Sequence, residues 1–102
     1  MDQPIACSLD ATDWHDRVED WRAWFGANVT ELEASTATRV RMRLHPEGAA
    51  IEELMALARQ EVECCPFFSF AIEIDTDGLV LTTAVPPEAA PVLEEFVRLA
   101  SP

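Results

Sequence analysis

FFSFAIEIDTDGLVLTTAV, residues 67–85, is the stretch whose reading decides the fold. Two runs rich in β-branched and aromatic residues flank Thr76, Asp77 and Gly78. An Asp-Gly pair between alternating apolar residues is a strong short-range hairpin signal. In the first run Phe68, Phe70, Ile72 and Ile74 share one face, which the alternation directs at the core. An isolated hairpin is marginal in water, so this one requires further strands and a cover of helices.

The flanking sequence supplies both. TRVRMRLH (38–45) alternates Val40, Met42 and Leu44 inward with Arg39, Arg41, Arg43 and His45 outward. VTELEAS (29–35) is a weaker strand, and PIACSL (4–9) a short one with Ile5, Cys7 and Leu9 on one face. Trp14, Val18, Trp21 and Phe25 form the apolar stripe of a helix ending near Gly26. Trp24 lies at the edge of that stripe, which makes it the candidate oligomer contact, since aromatics are enriched at interfaces. A second helix opens at Pro46 with the stripe Ile51, Leu54, Met55, Ala58, Val62 and Cys65. Pro66 biases Cys65 toward an extended conformation and ends it. PPEAAPVLEEFVRLA (86–100) is a third helix, with Pro91 tolerated only near its start. The expectation is a single α+β domain over 1–102, ordered β-α-β-β-α-β-β-α. Its sheet is largely antiparallel, of four to five strands, with three helices.

Composition narrows the function classes. The net charge is −12, and every one of the seven basic residues is arginine. A phosphate backbone would be repelled, so no direct nucleic-acid binding is expected. No apolar run approaches the roughly 20 residues of a membrane span, and MDQPIACSLD lacks the basic and apolar regions of a signal peptide. A cytoplasmic protein is expected, with no membrane partner. Three glycines form no phosphate loop, and no serine stands in a recognisable base-partnered pattern, so no enzyme activity is expected.

The three cysteines, Cys7, Cys64 and Cys65, are the remaining chemistry. An odd count argues against a complete disulfide framework, and a reducing cytosol would keep them as thiols. Free cysteine packs as a small hydrophobe, and Cys65 continues the core stripe, so a packed role is the commoner one. A reactive nucleophile is disfavoured, because the pair sits at the negative end of a helix beside Glu61 and Glu63. A metal escapes that objection, since a bound cation deprotonates its own thiols. Cys64 and Cys65, with Cys7 as a third ligand, suit a soft ion such as Hg(II) or As(III), with His45 and Glu61 as auxiliary donors. Arg39, Arg41, Arg43 and His45 form a basic strip, best explained as a cross-strand ladder with Glu31 and Glu33.

PIACSLD, EDWRAWF, VRMRL, EVECCPFFSF and LVLTTAVPPEAAPVLEEF together resemble a family of small actinobacterial and proteobacterial proteins. The same module resembles the C-terminal extension of certain MerR-type, heavy-metal-linked transcription regulators. E-x-x-CCPFF-x-F is the most specific part, and the family's characteristic positions fall on Cys7, Cys64, Cys65, Pro66, Phe67 and Phe68. The resemblance implies a context of soft-metal response. This sequence carries neither a helix-turn-helix portion nor the Cys-rich linker of the fused forms, so no DNA-binding role is carried over.

The functional expectation is therefore a protein that binds a soft thiophilic metal or metalloid through vicinal cysteines, for sequestration or sensing. The alternative is a structural or interaction module, homodimeric in one version, whose cysteines are only packed. A thiol-dependent detoxification enzyme is a third reading.

Overall fold

The computed structural model describes residues 11–45 and 50–100, with side chains from residue 16 onward. The expected strand at 4–9, Cys7 on it, and the Trp14 side chain lie outside the described residues. Helix α1 (Ala11–Asn28) leads into the hairpin of β1 (Val29–Ser35) and β2 (Arg39–Leu44). Helix α2 (Ile51–Cys64) then connects to β3 (Ser69–Asp75) and β4 (Gly78–Ala84). A 3-10 turn (Pro87–Ala89) precedes α3 (Ala90–Arg98), which places Pro91 in the first turn, where its missing N–H is harmless. The architecture is α+β: an antiparallel sheet ordered β1-β2-β4-β3 with three helices. Gly78, with φ at 123°, closes the β3–β4 turn in a conformation that L side chains rarely adopt.

One face of the sheet carries the core. Val40, Met42 and Leu44 of β2 and Leu81 of β4 pack with Trp21, Trp24, Phe25, Leu54, Phe68, Leu93 and Phe96. Phe96 is the hub of the aromatic cluster, with ring centroids 4.9 Å from Trp21, 5.3 Å from Phe25 and 5.2 Å from Phe68.

The other face is held by charge. Val80 and Thr82 pair with Arg43 and Arg41 and point away from the helices, yet both are buried. The arginines of β2 extend across β4 and reach acids on β3. Arg41 donates to Glu73 at 2.7 Å, and Arg43 grips Asp75 through two bonds of 2.9 and 3.0 Å. Glu33 of β1 completes the ladder on the near side, 2.8 Å from Arg43 Nε. Neighbouring strands are about 4.8 Å apart, so a side chain spanning β2 to β3 covers roughly 10 Å. The long, forked guanidinium can do this and engage two carboxylates at once. The ladder was expected with β1 alone; its extension to β3 is what seals β4.

This grip bears on how Asp75 titrates. The hydrogen bond from Arg43 holds the Asp75 carboxyl below the usual aspartate range, against an opposing effect of desolvation. A depressed carboxyl contributes stability above its unfolded pKa and loses it as pH falls through the folded value. Arg43→Ala should move the Asp75 transition up into the ordinary range, read from its carboxyl carbon shift in an NMR pH titration. An unmoved transition would show that the ion pair is not populated in solution.

Two expected core stripes are displaced. Met55 and Val62 of α2 are exposed, and so are Ile72 and Ile74 of β3. The buried residues of α2 are Leu54, which the stripe includes, and Glu61, which it does not and which is held inside by the hydrogen bonds it receives from α1. Trp24 is also not a surface residue: it is 4% exposed. Its indole donates to Ala50 O at 3.0 Å, and Asn28 accepts from Ala50 N while donating to Trp24 O. That staple between the end of α1 and the start of α2 draws Trp24 inward and leaves it unavailable to a second copy.

Candidate functional site

Arg17 and Trp21 stand four residues apart on α1, and Glu61 and Cys64 three apart on α2, so each pair shares one helix flank. Where the two flanks meet they form a small polar network in an apolar surround. Trp21 Nε1 donates to Glu61 Oε1 at 2.8 Å, and Arg17 Nη1 reaches the same oxygen at 3.3 Å. The second guanidinium nitrogen, Nη2, lies 3.5 Å from Cys64 Sγ. Glu61 is only 3% exposed, so both donors are needed to keep its charge inside. Burial alone would lower the Arg17 pKa, but the hydrogen bond to Cys64 and the charge of Glu61 outweigh it and hold the guanidinium above its ordinary value.

The two adjacent cysteines occupy different environments. Cys64 is half-buried and is a free thiol at the last position of α2. Cys65 is 0% exposed, its backbone already extended as a residue before proline. Its N–H closes the helix on Glu61 O at 2.6 Å, and its carbonyl accepts from Phe68 N at 3.0 Å around a turn with Pro66 at the second position. The Cys65 sulfur is disulfide-bonded, where thiols were expected throughout. Three cysteines exclude a fully paired set but leave room for one bond and one thiol.

Other expected donors are placed as follows. Glu61 does stand beside Cys64, but as the buried acceptor of Arg17 and Trp21. His45 is at the opposite end of α2. Its backbone N–H bonds Asn28 O, and Asn28 in turn holds Ala50 N, so His45 belongs to the start of the helix. Fourteen residues at 1.5 Å each put the Cys64 end about 20 Å away, too far to share an ion. Cys7 lies outside the described residues, and among the described residues no group of three or more His, Cys, Asp or Glu is placed to hold a metal ion.

Arg17 is the residue that the sequence did not single out. It contacts Cys64 across 47 positions, and its only local signal is the spacing to Trp21. Next to the network, Arg17, Trp21 and Glu61 also form one wall of a cleft of about 220 Å³ whose floor includes Phe68 and Phe96.

Comparison with protein-family models, with curated proteins and with solved structures finds no match to this chain. Function therefore rests on the site. Among the described residues no helix is long and apolar enough to cross a membrane.

Proposed function

We propose that this protein binds a soft thiophilic metal or metalloid ion, of the Hg(II) or As(III) type, through Cys64 and Cys65, and that it does so in its reduced form. The observation that carries the reading is the cation already standing at the sulfur: Arg17 Nη2, 3.5 Å from the half-exposed Cys64 Sγ. A guanidinium there complements a thiolate, which is the form that binds a soft ion. When the ion arrives, Arg17 can release the sulfur and keep Glu61, its second anchor at 3.3 Å.

The chemistry balances in two steps. A dithiol or low-molecular-weight thiol reductant delivers two electrons to the Cys65 disulfide and is itself oxidised to a disulfide. Hg(II) then displaces one proton from each thiol, and the resulting dithiolate complex is neutral, so the nearby Arg17 charge does not oppose it. Cys7 is the proposed third ligand for an ion that prefers three sulfurs. The resemblance to heavy-metal-linked regulators agrees with this reading, and sequestration or sensing is the proposed role.

Complete burial of Cys65 favours the second reading, in which this cysteine only packs and the protein is an interaction module. Titration separates the two. Hg(II) at a hundredfold excess over Kd should stabilise the reduced protein by about 2.7 kcal/mol, raising Tm on the order of 10 °C, with a parallel change in Trp fluorescence. Cys64→Ser/Cys65→Ser should abolish both changes. If reduced wild type and the double variant respond alike, metal binding through this pair is excluded and the packed reading stands.

A further inference from the structure

The two edges of the sheet are built differently. Edge strand β1 pairs with β2 through two register shifts, between Val29 and Glu31 and between Leu32 and Ala34. Such irregularities twist an edge away from incoming strands. Edge strand β3 has no such protection: its pairing with β4 runs without a break from Ser69↔Ala84 to Asp75↔Gly78. It contains neither proline nor lysine, and no strand covers its outer side among the described residues. Its helix-facing side is apolar and open, with Ile72 39% and Ile74 82% exposed.

We propose that β3 is the contact by which two copies of this chain form a dimer, pairing antiparallel about a two-fold axis through Ile72. In that register the full strand, Ser69 to Asp75, is matched residue for residue with its copy. Ile72 faces Ile72 of the second copy, and Phe70 faces Ile74, so every apolar residue meets another. On the opposite side Ala71 faces Glu73 and Ser69 faces Asp75, so no acid is set against an acid. Those two acids are moreover already bonded to Arg41 and Arg43. On a chain of net charge −12, most surfaces repel their own copy, and this edge is one where that repulsion is offset within each chain.

A pocket receives the protruding side chain. Ala58, Val62 and Phe70 line a groove between α2 and β3, with Arg59 and Glu63 at its rim. In the Ile72-centred register, Ile74 of one copy arrives beside Phe70 of the other, over this groove. The contact is then isologous, each copy supplying one isoleucine and one groove. It also accounts for the exposed Val62 of α2, which borders the same groove.

Sedimentation of the full chain at about 100 μM should give twice the 11.3 kDa mass of one chain, and Ile74→Arg should reduce it to one. Because Ile74 is exposed, that variant should keep the wild-type circular dichroism, and its Tm should match that of wild type diluted until it is monomeric. The register is tested by cysteine pairs in a Cys64→Ser background. Directly opposed residues have Cα atoms about 4.5–5.5 Å apart, within disulfide range, so Ile72→Cys should cross-link under mild oxidation. Ile74→Cys should not, since four residues of offset separate it from its mate by roughly 13 Å. A monomeric full chain overturns the proposal; if the chain shortened by residues 1–10 then dimerises, the chain's own N-terminal segment is the occupant. A dimer that survives Ile74→Arg, or cross-links through Ile74→Cys but not Ile72→Cys, overturns it as well.

Discussion

Glu61→Ala should lower the unfolding free energy by about 3 kcal/mol, measured by urea denaturation. The carboxylate is nearly fully buried and is the acceptor of two donors, the Trp21 indole and the Arg17 guanidinium. Truncation leaves a buried N–H without a partner and a largely buried cation without its counter-charge. The cost should split in a diagnostic way. Glu61→Gln keeps an oxygen for Trp21 and removes only the charge, so it should cost about half as much. Arg17→Met/Glu61→Gln should recover most of the loss, because a buried pair replaced by apolar and neutral groups of similar volume is often no less stable. Equal stability of Glu61→Ala and wild type would mean that the network contributes nothing to the fold.

Phe96→Ala should cost on the order of 3–5 kcal/mol, the usual range for a large aromatic in a packed core. Its ring touches those of Trp21, Phe25, Phe68 and Phe70, which come from α1 and from the chain entering and forming β3. Phe96 and Leu93 are the buried residues of α3, so the substitution also loosens the docking of that helix. Against a total stability of roughly 5–15 kcal/mol for a domain, a loss of this size takes a large share. Phe96→Leu keeps most of the apolar volume and should lose well under half as much. A change below 1 kcal/mol for Phe96→Ala would show that α3 is not anchored through this ring.

The sheet was largely legible in the sequence, because alternation and turn chemistry are local. The Asp-Gly turn marked β3 and β4, and Val40, Met42 and Leu44 marked the inner face of β2. Faces that depend on a partner were not legible. Periodicity runs the α2 stripe through Met55 and Val62, since an acid at position 61 does not read as a core residue. Yet Glu61 is buried, because α1 brings two donors to it. Trp24 lies at the edge of the α1 stripe, and what draws it inward is equally remote: its bond to Ala50 joins residues 26 positions apart. At the cysteines the neighbouring sequence is acidic, but the cation that faces Cys64 comes from a different helix. Spacing likewise gave no clue that Cys65 is the oxidised residue and Cys64 the free one.

Arg41 and Arg43, laid across β4, also govern how the solvent reaches the middle of the sheet. The side chains of Val80 and Thr82 lie on the face without helices but beneath guanidinium arms held by acids on both sides. Water therefore reaches this side of β4 when the ion pairs open rather than when the helices lift. At 1 M salt the screening length shrinks to about 3 Å, comparable to the ion-pair distance itself, and the fastening weakens. Ionic strength is in this sense a second control on the permeability of the sheet, acting from the side opposite to the hydrophobic core.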